Sequence, residues 1–192
     1  MIFIGASTGG TEAIKQVLAD LPASVPPVLI VQHMPEMFTG AFARRLDGLC
    51  SVKVKEAEDG ESIQGGTVYI APGHSHLSIV RSPTGLQCSL SRAEPVNRHR
   101  PSVDVLFSSA ARTVGAGAVG VLLTGMGKDG ARGLLEMREA GGWTIAQDHD
   151  SCVVYGMPRE AALLGAACEV VTLKDVAQQI LRHLGHGATR NG

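Results

Sequence analysis

Short apolar, β-branched runs recur along the chain at Ile2 to Ile4, Val28 to Val31, Thr67 to Ile70, Val119 to Leu123, Trp143 to Ala146 and Val170 to Thr172. Several are apolar at successive positions, the pattern of strands buried on both faces of a parallel sheet. Between them the period lengthens. Ala13, Ile14, Val17, Leu18 and Leu21 form one stripe at helical spacing, and Val103, Leu106, Phe107, Ala110, Ala111 and Val114 form a cleaner one. A further helix is expected through Phe38, Phe42, Arg44 and Arg45, with both Phe side chains in the core and Trp143 packed in the interior. Strand-helix alternation of this kind predicts an α/β fold: a doubly wound, mostly parallel sheet with helices on both faces. One antiparallel signal stands apart. Leu77 to Arg81 and Leu86 to Ser91 flank Ser82-Pro83-Thr84-Gly85 and predict a β-hairpin appended to the sheet.

The chain has 192 residues, which fits one domain, here assigned to residues 1–184, with a Gly-rich flexible tail expected over 185–192. Its 17 basic and 18 acidic side chains nearly cancel, and no long run of either sign draws it toward nucleic acid or an anionic membrane. Runs such as Val28 to Val31 and Ala118 to Leu123 are far shorter than the about 20 residues a membrane span takes. The N-terminus reads as a strand from its start and carries no secretory signal pattern, so a cytoplasmic location is expected. Cys50, Cys88, Cys152 and Cys168 form no Cys-x-x-Cys pair and are expected as free thiols.

Three strand ends carry residues with chemistry. Gly5-Ala6-Ser7-Thr8-Gly9 fits G-x-S-x-G between a strand and a helix, the context in which a serine hydroxyl projects above a sheet edge. Glycines there permit the tight turn, and the following helix offers free N–H groups to an oxyanion. The same residues also suit a helix cap or a phosphate-binding loop. His33 directly follows the strand ending at Gln32, where a ligand binds in open α/β sheets. Taken alone it reads as a structural histidine. Asp129 lies in the Gly-rich loop Leu123-Thr124-Gly125-Met126-Gly127-Lys128-Asp129-Gly130 and, taken alone, reads as an N-cap for a helix from Ala131. Together the three are the residue types of a nucleophile, its general base and the carboxylate that orients the base. Their order, Ser then His then Asp, differs from the Ser, Asp, His order of the α/β-hydrolases. His74, His76 and the run Asp148-His149-Asp150 match no metal-ligand spacing and read as turn and surface residues; no metal or cofactor is expected.

These segments, with Val31-Gln32-His33-Met34-Pro35, Arg100 through Phe107 and Tyr155-Gly156-Met157-Pro158-Arg159-Glu160-Ala161, closely resemble the catalytic domain of the chemotaxis protein-glutamate methylesterases, the CheB family. The resemblance covers nearly the whole chain. It implies hydrolysis of glutamate methyl esters on the cytoplasmic helices of chemoreceptors, with release of methanol, and deamidation of receptor glutamines as a second activity. Ser7, His33 and Asp129 match the family's triad, and Met126 its oxyanion-hole position, with Thr8 the neighbouring donor. Arg45, beside Arg44, is a candidate contact for an acidic receptor helix, with a solvated helix face as the equal alternative. Family members usually carry an N-terminal phospho-receiver domain, whereas this chain begins at the first catalytic strand. Two alternatives stay open: a phosphate-binding module built on Gly5 to Gly10, and an enzyme of the same scaffold specialised for amides.

Overall fold

The computed structural model describes residues 1–188. In chain order the elements are β1 (Ile2–Ala6), α1 (Gly10–Ala19), β2 (Val28–Gln32), α2 (Glu36–Asp47), β3 (Lys53–Glu56), β4 (Thr67–Ile70), β5 (His76–Ser82) and β6 (Gly85–Ser91). There follow α3 (Val103–Thr113), β7 (Val119–Leu122), α4 (Ala131–Glu139), β8 (Trp143–Gln147), α5 (Met157–Leu163), β9 (Glu169–Val171) and α6 (Val176–Ala188). Seven strands form one sheet in the order β3-β4-β2-β1-β7-β8-β9, every neighbouring pair parallel. Every residue of β1, β2, β4 and β7 is buried, because apolar helices cover both faces.

Alternation along β1 shows the two layers. Ile2 and Ile4 pack with Ile14 and Leu18 of α1, Phe42 and Leu46 of α2, and Val176 and Ile180 of α6. Phe3, pointing the other way, packs with Val103 and Phe107 of α3, Leu134 and Met137 of α4, and Met157 of α5. The fold is therefore doubly wound, as the alternation predicts. β5 and β6 pair antiparallel around Pro83-Thr84, but they form a separate two-stranded sheet laid on α3, where Ser109 Oγ accepts the Ile79 N–H at 3.1 Å.

Some local expectations change. β3 has no apolar run to announce it: only Val54 of Lys53-Val54-Lys55-Glu56 is fully buried, as suits a charged edge strand. Phe42 is in the core, whereas Phe38 is exposed, because it lies on the outer side of the first turn of α2. Trp143 is half-buried and stacks on His183 of α6. The expected boundary after residue 184 falls inside α6, which runs to Ala188; residues 189–192 lie outside the described residues. His76, read from sequence as a surface residue, is buried: Nε2–H donates to Glu94 O and Nδ1 accepts the Ser102 N–H, tying β5 to the start of α3.

Gly5 has a different role from the one its motif suggests. It is Gly9, with φ 80°, that makes the turn, whereas a Cβ on Gly5 would lie 2.2 Å from Val103 Cγ1. Gly5 is small so that α3 can reach the sheet. Gly5→Ala is expected to cost about 1–3 kcal/mol by overpacking, read as a lower urea midpoint with an unchanged slope.

Candidate active site

The winding reverses at β1. β2 follows it to one side and β7 pairs on the other, so the carboxyl ends of β2, β1 and β7 meet at a topological switch point, the place where open α/β sheets bind ligands. Ser7 leaves the end of β1, with its N–H donating to Thr124 O (3.0 Å) in the loop after β7. His33 leaves the end of β2, and its N–H extends the ladder to Ala6 O (3.1 Å). Gln32 fixes the two exits relative to each other: its buried Nε2 donates to Ser7 O at 2.9 Å and to His33 O at 3.1 Å.

Asp129 comes from the loop after β7 and is 1% exposed. Its sequence reading as a cap for α4 is half right, because the helix it caps is α3. The N-cap of α4 is Gly130, while Asp129 Oδ2 accepts the N–H of Val103 (2.7 Å) and Oδ1 that of Asp104 (3.2 Å). Oδ1 also accepts from Ser102 Oγ (2.7 Å) and Asn97 Nδ2 (2.8 Å), and Oδ2 accepts from His33 Nε2 at 2.7 Å. Burial works to raise the carboxyl pKa, but hydrogen bonds from His33, Asn97, the Val103 backbone and Ser102 outweigh it and hold Asp129 down to about 2. The positive end of α3 acts in the same direction.

Because this value lies below the ordinary 3.8, ionised Asp129 stabilises the fold fully above about pH 4. That contribution, on the order of 2 kcal/mol, is lost as pH falls toward 2. Urea unfolding at stepped pH values from 5 to 2 should therefore show a steeper loss of stability in the native protein than in Asp129→Asn.

Since Asp129 only accepts, His33 carries its proton on Nε2, and Nδ1, buried and without a hydrogen-bond partner, presents a lone pair. Ser7 Oγ is not hydrogen-bonded to it in this conformation. The imidazole is also stacked on His99, with ring centroids 3.7 Å apart and planes 9° apart. Burial, then His33, lowers the His99 pKa, which favours a neutral ring against the face of His33.

The Gly-rich loop closes the site from the β7 side. A Cβ on Gly125 would lie 2.4 Å from Met157 Sδ and 2.7 Å from Ser7 Cβ, so the loop backbone lies directly on the serine. The N–H groups of Thr8 and Met126 donate to no acceptor among the described residues. The segments that follow these strand ends expose several apolar side chains: Met37 (77%) and Phe38 (52%) on α2, Met126 (69%), and Val153 (71%), which packs on Gly9. Arg45 lies in the last turn of α2 and pairs at the surface with Glu12 of α1 (3.3 Å), touching none of Ser7, His33 and Asp129. His74 bonds Ser75, and His149 bonds Asp150 at the surface.

Gln32, Asn97, His99 and Ser102 are site residues that the sequence reading missed. Gln32 was signalled only by preceding His33. Nothing in the stretch from Asn97 to Ser102 announces that it folds onto an aspartate about 30 positions later.

The CheB methylesterase family model matches residues 2–180. Among curated relatives, a protein-glutamate methylesterase/protein-glutamine glutaminase of Dechloromonas aromatica is 61% identical over 181 residues, 94% of this chain and 52% of the relative. One of Nitrosomonas europaea is 60% identical over 184 residues, 96% of this chain and 51% of the relative. The chain thus spans about half the length of the curated relatives it matches. The crystal structure of the Thermotoga maritima CheB methylesterase catalytic domain superposes with a TM-score of 0.92 at 38% identity, covering 94% of this chain and 96% of that one. With its fold, its strand-end site and these matches in agreement, the chain belongs to the CheB methylesterase family.

Proposed function

We propose that this chain hydrolyses glutamate methyl esters on the cytoplasmic helices of chemoreceptors, releasing methanol, with Ser7 as nucleophile, His33 as general base and Asp129 as the orienting carboxylate. The observation that carries the reading is the buried 2.7 Å His33–Asp129 pair, whose free ring nitrogen lies at the strand end beside Ser7. The ring is turned relative to the serine-protease arrangement, in which Nδ1 faces the carboxylate: here Nε2 faces it and Nδ1 takes the proton.

In this mechanism the Ser7 side chain turns to hydrogen-bond Nδ1 when substrate binds, a tightening common in such sites. Oγ attacks the ester carbonyl carbon as its proton passes to His33, and the oxyanion is received by the N–H groups of Thr8 and Met126. Collapse expels methoxide, which leaves as methanol with the His33 proton. Water, deprotonated by His33, then cleaves the glutamyl-Ser7 ester to release the glutamate carboxylate. The same steps on a glutamine side chain release ammonia, which accounts for the second activity named for the relatives.

The exposed collar of Met37, Phe38, Met126 and Val153 suits the apolar positions of a helix that carries the target glutamate. Arg45 has no part in the chemistry under this reading, but lies on the surface that acidic receptor residues would meet. A phospho-receiver domain, supplied by a full-length protein, is a further proposed partner, and the cytoplasm the proposed location. Among the described residues no helix is long and apolar enough to cross a membrane. Phe38→Asp should lower kcat/KM on methylated receptor about tenfold, through KM; an equal loss on a small soluble ester would refute the docking role.

A phosphate-binding loop would give the His33–Asp129 pair nothing to do. The discriminating experiment is methanol release from methylated receptor, with mass spectrometry to locate an acyl adduct; an adduct on any residue but Ser7 would overturn the assignment.

A further inference from the structure

One polar side chain at the site has no task in the mechanism above. Asn97 sits in a tight reversal in which Val96 and His99 exchange backbone hydrogen bonds (3.0 and 2.9 Å), with left-handed backbone at Asn97 (φ 52°) and Arg98 (φ 67°). This conformation directs the amide inward. One N–H of Nδ2 goes to Asp129 Oδ1 at 2.8 Å, and the other goes to Asp104 Oδ2 at 2.7 Å.

Asp104 is in the first turn of α3, and its own N–H donates to Asp129 Oδ1. Its Oδ1 accepts the Gly133 N–H of α4 at 2.7 Å. Two carboxylates therefore share one corner, and among the described residues Asn97 is the side chain whose single nitrogen bonds both. Burial raises the Asp104 carboxyl pKa, as expected where like charges crowd a poorly solvated place.

Resting on the triad reading above, we propose that Asn97 is a positioning residue of the active site: by tying Asp129 to Asp104 it fixes the orienting carboxylate and limits how strongly His33 holds a proton. The physical basis is direct. Each N–H given to a carboxylate draws charge away from it, so an Asp129 deprived of Asn97 is a stronger anion facing His33, and the imidazolium is favoured. His33 then stays protonated to higher pH. The other charged or titratable groups around this corner are His99, stacked on His33, and Lys128, Arg132 and Glu160, which line a cavity of about 400 Å³ together with Asn97 and Asp104. They are the same in the glycine variant as in the native protein, so a shift there reports the amide, whereas the aspartate variant adds a charge to that effect.

Two substitutions separate charge from shape. Asn97→Gly keeps the left-handed backbone and deletes the amide; Asn97→Asp keeps the outline, replaces donors by acceptors and adds a third carboxylate. The His33 imidazole is titrated by NMR, and kcat and KM are measured against pH on methylated receptor. The His33 midpoint and the acidic limb of kcat are expected to move up, by about 0.5 in pH for glycine and about 1 or more for aspartate. Below the shifted midpoint kcat should fall in proportion, by about threefold for glycine and about tenfold or more for aspartate, with KM held within twofold. A His33 midpoint that does not move in the glycine variant overturns the proposal, however far kcat falls, because Asn97 would then only shape its loop. Should the aspartate variant fail to fold, the glycine variant decides by the same criterion. The NMR arm needs no turnover: if Ser7→Ala still released methanol, the triad reading would fall while the role of Asn97 at the His33–Asp129 pair was still decided.

Discussion

Ser7→Ala and His33→Ala are each expected to lower methanol release from methylated receptor by about 10⁶-fold, the scale of loss when the nucleophile or base of a triad is removed. As the proposed nucleophile and base they would act as one unit, so the double variant should be no worse than either single one. Folding should be little affected in Ser7→Ala: the Ser7 contacts that organise the turn are made by its backbone, through Thr124, Gly10 and Gln32, and survive the substitution. Unchanged melting with abolished turnover is the expected pair of results. Methanol release at the native rate would end the assignment of Ser7.

Asp129→Asn should lower kcat about 10⁴-fold, as loss of tautomer control does in other triads. The hydrogen bonds at Asp129 give the reason. All five of its partners are donors: His33 Nε2, Asn97, Ser102 Oγ and the N–H groups of Val103 and Asp104. An amide has one acceptor oxygen, so its NH₂ must face donors. Turned toward His33, it donates to Nε2, drives the proton to Nδ1 and removes the lone pair that the proposed mechanism needs to activate Ser7. Turned toward α3, it leaves buried N–H groups unpaired, which costs about 1–3 kcal/mol each. Kinetics and denaturation should therefore fail together here, unlike in Ser7→Ala. If Asp129→Asn kept activity within tenfold of native, the 2.7 Å pair with His33 would be structural only.

The sequence was most legible where physics acts locally. Apolar runs at Ile2–Ile4, Val28–Val31 and Val119–Leu123 could be satisfied only by burial on both faces, and the stripe from Val103 to Val114 could close only as a helix, so the layered parallel architecture was written in the spacing. Ser7, His33 and the Asp129 loop could be placed at neighbouring strand ends because each follows such a run, and strand ends are where a doubly wound sheet opens.

What the sequence could not disclose depends on groups distant in the chain and near in space. Lys53–Glu56 is a strand because β4 offers it a free edge, a fact about its neighbour. Gly5 reads locally as part of a turn but is required by the approach of Val103, and Asp129 reads as a cap for the helix after it but caps α3 instead. Which nitrogen of His33 meets Asp129, and that Asn97 joins two carboxylates there, follow from how the chain between β6 and α3 packs onto the sheet edge. Hydrophobic period is an average over many side chains and survives in one dimension; a hydrogen bond depends on individual atoms within about 3 Å, and only the packed tertiary structure determines which atoms those are.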